Sequence, residues 1–153
     1  MLPDIPHEEA IYVFAECVVE EDNYLKTHGG TLYNDLKPTL AELKKDYFLA
    51  VVSNCLCDYL DSFLDYHGMR PYFDDCETFG GTHLPKWKNI QFVADRNHLD
   101  AAVYVGDTEI DRQSAEKAGV SFIWAKYGFG HDIAAKYVLN SITELPQVIG
   151  TVL

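Results

Sequence analysis

Short apolar runs alternate with stretches of helical periodicity along the chain. Continuous apolar runs at residues 48–52 and 101–105 predict β-strands, as does the segment at 120–124, and short segments at 76–79 and 137–139 predict two more. Apolar residues at helical spacing predict the helices. These helices lie at 7–28, at about 36–45, between Leu56 and Gly68, at 89–99, and from just after Thr108 to Gly119.

The order of these elements is the βαβ rhythm of a parallel sheet. Strands separated by helices of about ten residues indicate crossover connections, so we predict an α/β fold with helices on both faces of the sheet. The run at 48–52 is continuous rather than alternating, which is typical of a strand buried on both faces. Ligands of such sheets bind beyond the carboxyl ends of the strands. The polar residues that directly follow each run are therefore the candidates for chemistry.

Length, charge and cysteine usage narrow the class of protein. The 153 residues suit one domain, and 12 Lys and Arg against 24 Asp and Glu give a net charge of −12. Such an acidic chain is a poor match for nucleic acid or for a membrane surface, both of which need clustered basic residues. The longest apolar run, at 47–52, is too short to span a bilayer, and four cysteines without a CxxC pair favour a reduced, cytoplasmic protein.

Two of the strand ends carry groups suited to phosphate. Ser53 and Asn54 follow the run at 48–52, where a hydroxyl beside a helix N-terminus can hold a phosphate oxygen, although such residues often serve only as helix caps. Lys86 follows the second strand and can neutralise a phosphate, as can Lys88, although loop lysines are usually plain surface.

A third strand end carries two carboxylates. Gly106, Asp107 and Asp111 form a GDxxxD segment directly after the run at 101–105. Carboxylates near a phosphate are the ligands that Mg²⁺ prefers. The alternative interpretation is a helix N-terminus whose acids complement the helix dipole.

Taken together and in this order, the three signals resemble the haloacid dehalogenase (HAD) superfamily of phosphohydrolases, in its phosphoglycolate-phosphatase-like branch. The matching text is LAVVSN, GTHLPKWKNI and YVGDTEIDRQSAEKAG, and the resemblance covers about residues 31–130. It implies that Ser53 and Asn54 bind the transferring phosphoryl group and that Lys86 bridges this group and the nucleophile. It also implies that Asp107 coordinates Mg²⁺ and that Asp111 supports the metal site.

The resemblance also implies a part that these residues lack. Family members use an aspartate nucleophile in a DxD motif on the first, central strand, and no D-x-D occurs in residues 1–153. We therefore expect the chain to begin inside the helical cap, with residues 1–30 a cap remnant and residues 31–153 an incomplete HAD-like three-layer core. The strands ending at Ser53 and Gly106 would then lose their shared neighbour. We expect them to close on each other, or the N-terminal segment to fill the gap, or a strand to come from another polypeptide.

Two functions remain open at this point. The first is a phosphatase that hydrolyses a small phosphorylated metabolite with Mg²⁺ in its intact form and that is inactive as these residues alone. The second is a non-catalytic phosphate- or metal-binding module that serves as a partner subunit. The partner would be a second copy of the chain or a complementing N-terminal chain.

Overall fold

The computed structural model describes residues 5–153 of the chain. These residues form five strands and seven α-helices, with short 3₁₀ turns at Arg70–Tyr72 and Ile142–Glu144. In chain order the elements are α1 His7–His28, α2 Leu36–Leu43, β1 Ala50–Ser53, α3 Cys57–Tyr66, β2 Asp75–Thr78, α4 Phe79–Thr82, α5 Lys86–Arg96, β3 Val103–Gly106, α6 Glu109–Ala118, β4 Ser121–Ala125, β5 Tyr137–Leu139 and α7 Leu145–Ile149.

The strands form two parallel sheets rather than one. β1 pairs with β2, and β3, β4 and β5 form a second sheet in that order. All three pairings are parallel, which confirms the predicted α/β class and its crossover connections.

Helices cover both sheets in two layers. In the first layer α5 packs on β1 and β2, α6 packs on β3 and β4, and the two helices contact each other. The second layer contains α2, α3 and α7, and it encloses two apolar cores. One core joins Leu43 to Ile123 and Leu139, and the other joins Leu40 to Leu64 and Met69. Together with the sheets these layers give the predicted three-layer arrangement.

The sequence predictions need several corrections of boundary and burial. The strand predicted at 48–52 is β1, two residues later, and it is not buried on both faces, because Phe48 and Ala50 are exposed and the following residues are only half-buried. Leu56, at the start of the helix predicted between Leu56 and Gly68, precedes α3 and is 49% exposed. The segment between the strand predicted at 76–79 and the helix predicted at 89–99 is partly helical, since α4 covers Phe79–Thr82 and α5 already begins at Lys86, directly after Pro85.

The first helix is correctly predicted to the residue, and it packs on α3. The Ser62 hydroxyl donates to the Asp22 carboxylate at 2.6 Å, and Gly29, in the left-handed region at φ 58°, ends the helix against the ring of Tyr66. No residue of α1 is buried in this described segment, and Phe14 is 70% exposed. Among the helices in residues 5–153, none is long and apolar enough to cross a membrane.

The gap expected between β1 and β3 is present. Within residues 5–153, β1 pairs only with β2 and β3 pairs only with β4, so β1 and β3 do not pair with each other. The expectation that these two strands close on each other is therefore wrong. The expectation that the N-terminal segment fills the gap is also wrong for the described part of that segment, because residues 7–28 form α1. The strand from another polypeptide stays a prediction.

Candidate functional site

The candidate residues gather at the carboxyl ends of β1, β2 and β3. Ser53 is the last residue of β1, Lys86 opens the helix that follows β2 and α4, and Asp107 directly follows β3. Since α5 packs against both β1 and α6, the segments that carry these residues are brought to one edge of the fold.

Lys86 and Asp111 form a buried ion pair at the centre of this edge. The Lys86 Nζ donates to Asp111 Oδ1 at 2.5 Å, and the two side chains are only 13% and 6% exposed. Burial acts to lower the pKa of the Lys86 ammonium, but the adjacent Tyr104 phenol and the Asp111 carboxylate together hold that pKa above its usual value. Lys86 is therefore a fixed positive charge at neutral pH.

Tyr104 connects this pair to β1. Its hydroxyl donates to the backbone oxygen of Val52 at 2.9 Å, and the Lys86 ammonium lies 5.7 Å from the centre of its ring. Burial raises the pKa of the phenol, so it stays protonated and remains a donor. We call the set formed by the Val52 oxygen, Tyr104, Lys86 and Asp111 the Lys86 network.

The second oxygen of Asp111 is used within its own helix turn. Asp111 Oδ2 accepts from the Thr108 hydroxyl at 2.7 Å, from the Thr108 N–H at 3.0 Å and from the Asp107 N–H at 3.2 Å. The Thr108 hydroxyl in turn accepts from the Asp111 N–H, which completes a capping box at the start of α6. Burial acts to raise the pKa of Asp111, but hydrogen bonds from Lys86 and Thr108 lower it below its usual value. The carboxylate thus fixes the turn that presents Asp107.

A glycine-containing loop holds Asp107 from the other side. The Phe129 N–H donates to Asp107 Oδ2 at 2.7 Å, while the Phe129 side chain is 86% exposed. A Cβ on Gly128 would lie 2.3 Å from the Asp107 Cβ, and one on Gly130 would lie 1.9 Å from the Asp107 backbone oxygen. Only glycine fits at these two positions, and the contact leaves Asp107 Oδ1 without a hydrogen-bond partner among the described residues.

Ser53 and Asn54 stand at the rim of the same edge. The Ser53 hydroxyl accepts from the Cys55 N–H at 3.2 Å, and the half-buried Ser53 precedes an exposed Asn54. Helix α3 begins three residues after Asn54, at Cys57, and it starts without a side-chain cap. The hydroxyl proton of Ser53 and the first N–H groups of α3 therefore remain as donors near this rim.

A buried polar contact holds the segment that leads into Lys86. Asn89 is fully buried, and its side-chain oxygen accepts from the Thr82 hydroxyl at 2.7 Å. The same hydroxyl accepts from the Leu84 N–H at 3.1 Å, so α5 and the turn before it are tied together. This contact fixes the start of α5, where Lys86 is the first residue.

Sequence reasoning overlooked three contributors to this site. Tyr104 lies inside an apolar run, Thr108 is the third residue of the GDxxxD segment, and the Phe129 N–H comes from a backbone group. A phenol one residue inside a strand end and glycines on both sides of Phe129 were the available signals. Neither signal by itself says which group it will contact.

The donor set bears on the Mg²⁺ prediction. In the part of the chain that the structure describes, no three His, Cys, Asp or Glu side chains cluster as a metal site. Mg²⁺ is usually held by one or two carboxylates with waters and substrate phosphate oxygens. An Asp107 carboxylate with one unengaged oxygen fits that requirement, whereas both oxygens of Asp111 are already taken by Lys86 and Thr108.

A family profile described as haloacid dehalogenase-like hydrolase matches residues 5–125. The match covers most of the chain and includes Ser53, Lys86 and Asp107. The chain belongs to the haloacid dehalogenase-like hydrolases. The resemblance found in the motifs is thereby confirmed, and so is the fold class expected from it.

Curated relatives of this haloacid dehalogenase-like chain are phosphoglycolate phosphatases. That of Vibrio parahaemolyticus is 30% identical over 130 residues, which is 77% of this chain and 56% of the relative. That of Aquifex aeolicus is 31% identical over 137 residues, or 84% of this chain and 61% of the relative. The chain thus spans little more than half the length of these relatives.

Solved structures of haloacid dehalogenase-like proteins have the same fold. A predicted phosphoglycolate phosphatase from Haemophilus somnus has a TM-score of 0.83 at 21% identity, over 95% of this chain and 68% of that one. A subfamily IA hydrolase from Geobacter sulfurreducens has a TM-score of 0.69 at 26% identity, over 77% of this chain and 56% of that one. Residues 5–153 therefore keep the family's fold although the strands divide into two sheets.

Proposed function

We propose that this chain supplies the phosphate-binding and metal-binding part of a phosphomonoester hydrolase. The observation that carries the proposal is the Lys86 network beside Asp107. It places one fixed positive charge and one partly unengaged carboxylate at the carboxyl edge of parallel strands. A phosphate dianion requires the first, and a hard divalent cation requires the second.

The substrate is proposed to be a small phosphorylated metabolite. Ser53 and Asn54 would donate to its phosphoryl oxygens from the rim, and Lys86 would balance their charge from the buried side. The names of the curated relatives favour phosphoglycolate within this class. Each of these groups stabilises the charge of the phosphoryl group, which is the main demand of phosphoryl transfer.

Mg²⁺ is the proposed cofactor. Asp107 would hold it through Oδ1, while Asp111 would support the site by fixing the Asp107 N–H and by pairing with Lys86. The bound ion would supply charge neutralisation and orientation of the phosphate oxygens. The residues of this chain would do the rest, namely bind the phosphoryl group and hold it in place.

None of the site residues proposed above is the nucleophile. No D-x-D occurs in residues 1–153, Asp111 is already paired with Lys86, and Asp107 is assigned to the proposed metal. We therefore expect residues 1–153 alone to bind phosphate without turning over a phosphomonoester. The aspartate would belong to a segment outside them.

Phosphate binding and turnover are measured separately to test this proposal. Titration calorimetry with inorganic phosphate and Mg²⁺ should show binding that Lys86→Met weakens at least about tenfold, equal to about 1.4 kcal/mol. Lys88→Met, an exposed neighbour in the same helix, is the matched control and should leave the affinity unchanged. Equal affinities for the two variants would rule out Lys86 as the phosphate-side charge.

Turnover is followed with phosphoglycolate and p-nitrophenyl phosphate in the presence of Mg²⁺. Only background hydrolysis is expected. Robust turnover that survives purification would overturn the proposal that the nucleophile lies elsewhere.

A second candidate is a non-catalytic module that serves as a partner subunit. The observation that favours it is the charge balance inside the Lys86 network, because Asp111 already neutralises Lys86 without any ligand. A stable dimer that binds phosphate or Mg²⁺ only weakly would favour this module over the hydrolase part.

A further inference from the structure

The loop at residues 126–130, which lies against Asp107, has one packed side chain. Its lysine and its phenylalanine are exposed, and its two glycines have no side chain. Tyr127 alone in this loop has a partly buried side chain, and it packs against the apolar core that contains Leu139. The contacts of the Tyr127 side chain therefore decide where this loop lies.

Backbone bonds fix the base of the loop more firmly than its tip. At the base, the Lys126 N–H donates to the Leu139 oxygen at 2.9 Å. At the tip, the Phe129 N–H donates to Asp107 Oδ2 at 2.7 Å. The glycines on either side of Phe129 impose little restraint on the backbone, so the tip does not hold its own position. A support from outside the loop is needed to keep the Phe129 N–H on the carboxylate.

Tyr33 supports Tyr127 from the connection between α1 and α2. The centres of the two rings lie 5.0 Å apart, and the ring planes meet at 73°, which is an edge-to-face contact. Such pairs contribute more than the apolar area that they bury. Burial, together with Tyr33 and the Asp107 carboxylate, raises the pKa of Tyr127 to about 12, so the phenol stays neutral at pH 7. Both groups must lie near the phenol to act on it, and Tyr127 thus joins Tyr33 to the surroundings of Asp107.

The backbone of Tyr33 is itself anchored on both sides. Leu32 packs against the core that contains Leu64 and Met69, and Leu36 packs against both cores of the fold. The Tyr33 oxygen also accepts from the Leu36 N–H at 3.4 Å. Although Tyr33 is 49% exposed, a fixed segment therefore carries its ring to Tyr127.

We propose that Tyr33 is a positioning residue for the binding of a divalent cation at Asp107, a role that rests on the proposed function of this carboxylate. The ring of Tyr33 holds Tyr127, and Tyr127 holds the loop. The loop then fixes the direction of Asp107 through the Phe129 N–H and leaves Oδ1 for the cation. Groups that orient a metal ligand change the metal affinity although they do not touch the ion.

A purely structural role for Tyr33 is the alternative, and Tyr66 offers a matched comparison for it. Tyr66 is 46% exposed, and its ring makes an edge-to-face contact with His67 at 4.9 Å between centres. The same ring packs on Gly29, which belongs to the connection that also carries Tyr33. Loss of either ring therefore removes a similar surface contact at this connection, but only Tyr33 contacts the loop.

Terbium luminescence measures the metal affinity of the variants. Tyr33→Leu should weaken Tb³⁺ binding at least about fivefold, which corresponds to the loss of one aromatic contact. Tyr33→Phe keeps the ring and should retain the affinity, and Tyr66→Leu should leave it unchanged. The affinity is read from the titration midpoint, because tyrosine rings sensitise terbium emission. No weakening by Tyr33→Leu, or equal weakening by either of the other two variants, would overturn the proposal.

A double variant shows whether Tyr33 acts through Tyr127. Tyr127→Leu removes the packed side chain of the loop and should weaken Tb³⁺ binding at least as strongly as Tyr33→Leu does. The addition of Tyr33→Leu to this variant should cause no further loss, because the contact between the rings is already gone. Losses that multiply would place Tyr33 on a separate route and overturn the proposal. If Tyr127→Leu does not fold, the single variants and hydrogen exchange still decide.

Hydrogen exchange of the Phe129 amide, measured by NMR without metal, reports the position of the loop directly. Tyr33→Leu should accelerate this exchange at least about fivefold, whereas Tyr66→Leu should not. Unchanged exchange at Phe129 would overturn the proposal. Equal acceleration across the whole chain would also overturn it, because that result indicates a loss of overall stability rather than a displaced loop.

The behaviour of the unmodified chain separates the role of Tyr33 from the proposed function. An unmodified chain that binds no Tb³⁺ would refute the metal site at Asp107, and the role of Tyr33 would fall with it. An unmodified chain that binds Tb³⁺ with the same affinity as Tyr33→Leu would refute the role of Tyr33 alone and leave the metal site standing.

Discussion

Replacing Lys86 by Met should destabilise the fold strongly, because it leaves a buried carboxylate without its counter-charge. Met keeps most of the length and apolar stem of the lysine, so the change removes the ammonium and little else. Both side chains of the Lys86–Asp111 pair are almost fully shielded from solvent, so screening by water reduces the effect little. Removal of one partner from such a pair costs about 3–5 kcal/mol.

The lower end of that range applies here. Asp111 keeps its three hydrogen bonds from Thr108 and Asp107 in the variant, and these partly satisfy the abandoned carboxylate. We therefore expect the free energy of unfolding to fall by about 3 kcal/mol, a change of about a hundredfold in the unfolding equilibrium. Urea denaturation followed by circular dichroism measures this, provided that the slope with urea is unchanged.

A double-mutant cycle decides whether the pair is the cause. Asp111→Asn in the Lys86→Met background removes the second charge, so the double variant should be less destabilised than the sum of the single variants by about 2 kcal/mol, within the range found for contacting residues. The exposed Lys88→Met should change stability by less than about 0.5 kcal/mol. Additive single effects, or an equal loss in Lys88→Met, would refute the reasoning.

Three further predictions concern other parts of the site. Gly128→Ala should displace the loop that contacts Asp107 and weaken the binding of Mg²⁺ or Tb³⁺ there at least about tenfold, as measured by terbium luminescence. Gly30→Ala, whose added Cβ has no atom within 4 Å, should leave the affinity unchanged, and equal affinities of the two variants would contradict the role of the loop. Asn89→Ala should lower the unfolding free energy by about 2 kcal/mol, because it leaves buried hydrogen-bond partners unsatisfied, and a urea titration that shows less than about 0.5 kcal/mol would count against it. The free energy of unfolding should fall as pH drops below about 4, because the pKa of the Asp111 carboxyl is lower in the folded than in the unfolded protein, so its contribution is present above the unfolded pKa and lost on acidification. Asp111→Asn should therefore reduce the loss of unfolding free energy measured between pH 7 and 3, and an unchanged loss would contradict this.

Among the described residues, local pattern was enough to predict the five strands, five of the seven helices and the edge at which the chemistry collects, but not α4 or α7. The run before Ser53, the Pro before Lys86 and the Gly before Asp107 mark strand ends and helix starts through backbone rules that act over a few residues. Helix α1 and the left-handed end at Gly68 follow from the same rules. Parallel pairing then brings separate strand ends to one edge.

Burial and pairing partners could not be predicted in the same way. Phe48 and Ala50 carry the pattern of a buried strand, but their exposure depends on whether a neighbour occupies the next position in the sheet. The contact of Asp107 with the Phe129 N–H joins residues 22 positions apart through a backbone group, which leaves no side-chain signature. Such features depend on tertiary arrangement rather than on local propensity.

The apolar outer surface of α1 affects how the purified protein behaves in concentrated solution. One turn of this helix carries three side chains that are each more than half exposed, namely Ile11, Tyr12 and Phe14. Protein molecules can therefore self-associate non-specifically through this surface. Mutual repulsion from the net charge of −12 opposes this self-association. Concentrated salt or a buffer near the isoelectric point of about 4.7 removes that repulsion. Low ionic strength at neutral or higher pH therefore favours monodisperse samples, and precipitation by salt should begin at this helix.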